Sequence, residues 1–242
     1  MSDMRVIRLD TVDSTNTYLH AYRGDEDVVV VTARHQTAGR GQGGNRWEDA
    51  EGQNLLFSIQ IRPVEVAIGH QFVLAMAEAL ALKRALDAYA DGMELKWPND
   101  IYHRDRKLSG TLIETAVSGG RLKRMILGTG INVNQRRFTS DAPNPVSLSL
   151  ITGSDESIDH LLERILQAFD DYYRRVLEGD YAGISREYHE VLYRRKGFYR
   201  YRDADGEFDA ELVGVAYDGR LSLRDSEGRQ RSYAFKEVEF II

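Results

Sequence analysis

Apolar and polar positions follow two different periods along the chain. Residues 5–9 read as a short strand, and residues 28–33 form a continuous β-branched run expected of a strand buried on both faces. Leu55, Phe57, Ile59 and Ile61 alternate with Leu56, Ser58, Gln60 and Arg62, which predicts an antiparallel strand whose second face is less apolar. Between these runs, Asp13-Ser14-Thr15-Asn16 offers N-cap chemistry to a short helix carrying Tyr18, Leu19 and Tyr22.

The Ala- and Leu-rich stretch 68–89 predicts a helix, with Pro63 ahead of it. Residues 93–97 predict a strand stopped by Pro98-Asn99-Asp100, and 107–117 with 122–128 predict a hairpin turning at Ser118-Gly119-Gly120. The clearest helix is 156–178, where Ile158, Leu161, Leu162, Ile165, Leu166 and Phe169 keep the 3.6-residue period. A second helix is expected over 181–193. Beyond Lys196, Asp205-Gly206, Asp218-Gly219 and Glu227-Gly228 punctuate short alternating strands at the spacing of small barrels. The pattern predicts a mixed α/β domain over residues 1–195 and a small all-β domain over 196–242.

Composition narrows the chemistry. The 242 residues contain no cysteine, which excludes disulfides, thiolate zinc sites and thioester intermediates. With 32 Lys+Arg against 38 Asp+Glu the net charge is −6, which argues against a bulk electrostatic grip on DNA or RNA. No apolar run approaches the roughly 18 residues that span a bilayer, and residues 1–10 lack leader or transit character, so a soluble, cytoplasmic protein is expected. The six histidines show no metal-binding spacing, and no P-loop, nucleophile elbow or kinase signature is present. Positioning and charge neutralisation are therefore the expected engine of any catalysis.

Four polar segments could carry such chemistry. The polar stretch 35–53 shows no period of its own, and a loop of that length inside a compact domain is often functional. Its Gly39, Gly41 and Gly44 match G-x-G-x-x-G, but no amphipathic helix follows Gly44, so the dinucleotide reading is rejected. Backbone N–H groups with Arg40 and Arg46 could still hold an anion, and Trp47 offers a stacking face; a flexible linker with solvated arginines reads equally well. Lys96-Trp97-Pro98-Asn99-Asp100 leaves two short polar side chains at a strand end, or is simply a turn. Lys107 at a strand mouth could hold a carboxylate or phosphate, or could be an edge lysine that discourages aggregation. Gly110, Gly128 and Gly130 thin two strands, as a flat slot or a pair of bulges would.

Taken in order, Ser14-Thr15-Asn16, the Gly39-Arg40-Gly41 loop ending at Trp47, Lys96-Trp97-Pro98-Asn99-Asp100, Asp105-Arg106-Lys107 with Gly110, and Gly128-Thr129-Gly130-Ile131-Asn132 resemble biotin–protein ligases. The resemblance implies a class II synthetase-like mixed sheet flanked by helices, with an SH3-like barrel at the C-terminus. It implies that biotin and ATP, with Mg²⁺, give biotinyl-5′-AMP, which then acylates a lysine of a biotin carboxyl carrier protein. It places Lys107, Arg40 and Asp100 at the chemistry, Lys107 on both carboxylate and phosphate and Asp100 near the acceptor lysine.

By the same resemblance Ser14, Thr15, Asn16, Gln36, Gly39, Arg40, Gly41, Gln42, Lys107, Gly110, Gly128 and Gly130 border biotin. Arg40, Arg46, Trp47, Asn99, Lys107, Ile131 and Asn132 meet the nucleotide, and the loop is expected to order over the adenylate. Where the family often has basic residues this chain has Gln42 and Asn45, which should loosen adenylate retention unless Arg46 compensates. The short stretch before Ser14 leaves no room for a winged-helix domain, so no DNA binding or repression is expected. Lipoate–protein ligation and a non-catalytic biotin- or nucleotide-sensing dimer are the alternatives. A homodimer edge is expected near residues 111–117, and no membrane partner is expected.

Overall fold

The computed structural model describes residues 4–62, 66–139 and 144–242; Pro63 and the first three residues, used in the sequence reading, lie outside them. Seven strands form the larger sheet: β1 (Met4–Val12), β2 (Val28–Gln36), β3 (Asn54–Ile61), β4 (Met93–Lys96), β5 (Asp100–His103), β6 (Arg106–Ser118) and β7 (Arg121–Asn132). Their order is β1-β2-β3-β7-β6-β5-β4. β1 and β2 pair in parallel through α1 (Thr15–Ala21), while the remaining neighbours are antiparallel, so the sheet is mixed.

One face of this sheet is covered by α2 (Phe72–Leu86), which is itself packed under α4 (Ile158–Leu177) and α5 (Tyr181–Glu190). α2 is apolar on nearly every side, as a helix between two layers must be, and its Val73, Met76 and Leu80 share a core with Phe57, Leu127 and Phe169. The short α3 (Leu148–Thr152), absent from the sequence reading, is capped by Ser147 and closed by Gly153 in the left-handed region. None of the helices among the described residues is long and apolar enough to cross a membrane.

Several expectations need correction. The second face of β3 is less apolar, as expected, yet it is buried: Ser58 and Gln60 are both fully buried, and Ser58 Oγ bonds to Thr15 and Asn16 of α1. Ser14 stands at the start of α1 but makes no side-chain cap; the Thr15 N–H donates instead to Gln36 Oε1 at 2.7 Å. The helix expected over 68–89 is shorter, with a 3₁₀ turn at Ile68–His70 preceding it. The helix expected to reach residue 193 ends at Glu190, because the chain then hydrogen-bonds to Leu95 at both ends (2.9 Å each) and covers the edge strand β4. Asp100, read with Pro98 and Asn99 as a turn, instead begins the four-residue strand β5, a stretch otherwise without a sequence expectation.

The second sheet contains β8 (Tyr199–Asp203), β9 (Gly206–Val215), β10 (Leu221–Asp225), β11 (Gln230–Tyr233) and β12 (Glu239–Phe240) in the order β11-β10-β9-β8-β12, all antiparallel. Gly206, Gly219 and Gly228 take positive φ in its turns. Trp97 ties the sheets together by donating from Nε1 to the Gly219 carbonyl at 2.9 Å.

Candidate active site

An open cleft of about 1760 Å³ lies over one face of β6 and β7, walled by α1, the loop after β2, the β4–β5 turn and the second sheet. The 36–47 segment is a closed loop rather than a formless one. Trp47 N–H donates to the Gly39 carbonyl (3.1 Å) and Gly41 N–H to the Asn45 carbonyl (2.7 Å), with a 3₁₀ turn at Gln42–Gly44. No helix follows Gly44, in keeping with the rejection of a dinucleotide fingerprint.

In β6 and β7 the pairs Gly110–Gly130 and Leu112–Gly128 share the cleft face. Their missing side chains leave room for the protein's own groups. A Cβ on Gly128 would strike the Asn16 amide, one on Gly130 the Trp47 indole, and one on Gly110 the Lys107 ammonium and Asp100 carboxylate, at 2.9 and 3.0 Å. The glycines thus make a flat floor on which four side chains lie.

At one end of the floor the polar groups form a chain. Gln36 Oε1 accepts from the Thr15 N–H and Oγ1 (2.7 and 3.0 Å), Ser58 Oγ lies 2.7 and 2.6 Å from Thr15 Oγ1 and Asn16 Oδ1, and Asn16 Nδ2 donates to Glu114 Oε2 (2.7 Å). Arg40 joins it through Glu114 Oε1 at 3.1 Å. Burial pushes the Glu114 carboxyl up, but the bonds from Asn16 and His20 and the Arg40 charge bring it below the usual carboxylate range. At the other end Lys107 Nζ pairs with Asp100 Oδ1 at 2.7 Å and stands 5.9 Å from the Trp47 ring centroid. The Trp47 Nε1 is buried and has no hydrogen-bond partner among the described residues.

The structure brings Ser14, Thr15, Asn16, Gln36, Arg40, Gly41, Gln42, Arg46, Trp47, Asn99, Asp100, Lys107, Gly110, Gly128, Gly130 and Asn132 to this one cleft. Gly39 is buried behind the loop and does not line it. The Ile131 side chain is fully buried in the core on the opposite face, so only its backbone is available to a ligand. Asn99 and Asn132 use their amide N–H groups on the Thr111 and Val146 carbonyls, which commits half of each side chain to the scaffold.

Some residues in and beside the cleft have no role in the sequence analysis. Glu114, which joins the cleft through Asn16 and Arg40, is hidden in an ordinary strand pattern. Lys96 sits 5.2 and 4.7 Å from the Tyr102 and Phe240 ring centroids, and burial lowers its pKa. Tyr233, Phe235, Lys236 and Phe240 reach the cleft from the second sheet, to which the sequence reading gave no site. Behind the floor, fully buried Glu78 of α2 lies 2.6 Å from Thr129 Oγ1 and 3.2 Å from Thr111 Oγ1, and burial raises its pKa to about 7.

Known proteins share both the sequence and this architecture. Residues 9–132 match the biotin/lipoate A/B protein ligase family. A biotin–[acetyl-CoA-carboxylase] ligase of Paracoccus denitrificans is 29% identical over 230 residues, covering 92% of this chain and 95% of that one. The bifunctional ligase/repressor BirA of Bacillus spizizenii is also 29% identical, over 95% of this chain and 72% of its own length. The structure of an Aquifex aeolicus biotin protein ligase in complex with biotin and ATP superposes with a TM-score of 0.81 at 26% identity, covering 97% of each chain. With the family match spanning the strands and loop that build the cleft, this chain belongs to the biotin/lipoate A/B protein ligase family.

Proposed function

We propose that this chain is a biotin–protein ligase, which joins biotin to ATP as biotinyl-5′-AMP and then transfers it to a lysine of a carrier protein. The observation that carries this reading is the Lys107–Asp100 pair on a glycine floor, in a chain that matches a biotin- and ATP-bound ligase along nearly its whole length. In the first step a biotin carboxylate oxygen attacks the α-phosphate of ATP, and the bond to the departing pyrophosphate breaks. Carboxylate and phosphate repel by about 1 kcal/mol at ~4 Å in water and about 4 kcal/mol at an effective dielectric of ~20, so the site must supply positive charge.

Lys107 is placed to supply it, held by Asp100 so that the ammonium is already oriented when charge develops. The Thr15–Asn16–Gln36–Ser58 chain is the polar end suited to a ureido ring, and Arg40 suits the acid side chain between the two ends. Trp47 is read as the cover over the nucleotide. In the second step the acceptor amine attacks the acyl carbon, the bond to AMP breaks, and the amine's proton passes to solvent; Asp100, at the Lys107 end of the floor, is the carboxylate we assign to orient that amine. Mg²⁺ would enter with ATP as the counter-ion of its phosphates, a role that asks for no more than one or two carboxylates from the protein.

We read residues 1–195 as the catalytic unit and 196–242 as a small barrel; the second sheet beginning at Tyr199 supports that division. Beyond Thr111 the outer edge of β6 has no strand partner among the described residues, since β5 pairs only with residues 106–110, and this edge is where two copies would pair. ATP–pyrophosphate exchange run with biotin, with lipoate and with neither tests the central reading. Exchange that depends on biotin alone is expected. Exchange driven by lipoate would overturn the substrate, and biotin binding without exchange would leave a sensor.

A further inference from the structure

We propose that Lys236, on the turn between β11 and β12, is a polyphosphate-binding residue that completes the Gly39–Gly44 loop from the far end of the chain. The inference rests on the ligase reading above. Three observations converge on it. First, a Cβ on Gly43 would fall on Lys236 Nζ, so the ammonium lies directly against the loop backbone. Gly43 is itself at φ 68, a conformation and a clearance that only glycine supplies together.

Second, Lys236 has φ 70, one of three non-glycine residues among those described in the left-handed region. A lysine there is strained where glycine would not be, and such strain gathers at sites of function. Third, the charges around the loop are unevenly spent. Arg40 is paired with Glu114 and Lys107 with Asp100, at 3.1 and 2.7 Å. Among the described residues, Arg46 and Lys236 have no ion pair or hydrogen bond, and both are exposed at the cleft. The neighbouring carboxylate, Glu237, is turned away: it accepts from the Ala234 N–H at 2.6 Å and faces Arg220 at 3.6 Å.

Lys107 lies at the floor, where carboxylate and α-phosphate meet. Lys236 lies over the rim, so its partners are the β- and γ-phosphates of ATP, which leave as pyrophosphate. It supplies the charge that Gln42 and Asn45 do not.

The test is Lys236→Gly, with Lys236→Arg as the conservative control, in ATP–pyrophosphate exchange on the full chain. Glycine relieves the strained backbone, so the thermal midpoint should not fall. We expect the KM for ATP and the inhibition constant of pyrophosphate to rise about tenfold, the loss of one charge-assisted hydrogen bond, with the KM for biotin unchanged. Arginine should recover most of this loss. Wild-type exchange with Lys236→Gly indistinguishable from it would overturn the proposal, as would a rise confined to the KM for biotin. Absence of exchange in the wild type would instead overturn the ligase reading.

Discussion

The two faces of the β6–β7 pair are built from the same strands on opposite principles. The cleft face is thinned to Gly110, Gly128 and Gly130, and its free space is filled by Asn16, Trp47 and the Lys107–Asp100 pair. The back face carries Leu127, Ile131, Thr111 and Thr129 toward α2, all four of them buried. The first face gives up strand packing to let charged groups approach closely. The second supplies the rigidity that holds those groups to position. Stability and chemistry are thereby assigned to opposite sides of one hydrogen-bonded ladder, and substitutions on the two sides should fail differently.

The largest expected effect is on the cleft face. Lys107→Ala should lower biotin-dependent pyrophosphate exchange by on the order of 100- to 1,000-fold, as removal of one preorganised charge does, with unfolding unchanged. Activity within a few-fold of wild type would remove Lys107 from the chemistry.

The back face should answer in stability and in pH. Glu78, Thr129 and Thr111 make three mutual contacts: Thr129 to Glu78 at 2.6 Å, Thr111 to Thr129 at 2.9 Å and Thr111 to Glu78 at 3.2 Å. The two hydroxyls donate toward the carboxyl and pull its pKa down, but burial outweighs them and raises it to about 7. Between the unfolded value of 4.5 and about 7, the unfolded chain has lost this proton while the folded one keeps it. Folding stability should therefore fall as pH rises through that window, by about 3 kcal/mol from this group alone. Glu78→Gln keeps a donor and an acceptor without titrating, so denaturant melts at pH 5 and pH 8 should show the variant gaining on wild type at the higher pH. A constant difference would mean that Glu78 does not titrate there.

The smallest effect separates space from charge on the cleft face. Gly128→Ala adds one methyl against Asn16, which must move off Ser58 and Glu114. The KM for biotin should rise about tenfold, one displaced hydrogen-bonding group, while the KM for ATP stays near wild type. Equal rises in both would mean that the floor itself had shifted.

Much of the site was legible in local pattern. The period of two puts Gly128 and Gly130 on one face of one strand, and the order of the polar segments identified the family. The loop's glycines could be denied a dinucleotide role because no helical period follows them. The helix 158–177 followed from its apolar stripe alone. Other features left no local trace. The pattern marks Ser58 and Gln60 as a less apolar face but not that both are fully buried, and β5 is too short to show a period.

By itself the sequence determined which residues share a face, where helices and turns fall, and which side chains carry suitable chemistry, because those depend on near neighbours and on φ/ψ preference. Only the tertiary structure decided what each side chain meets. Arg40 finds Glu114 across 74 positions, Lys107 finds Asp100 through the register of β5 on β6, and Lys236 reaches Gly43 from the second sheet. Those contacts are set by the packing of whole elements, whose register no short window of sequence encodes.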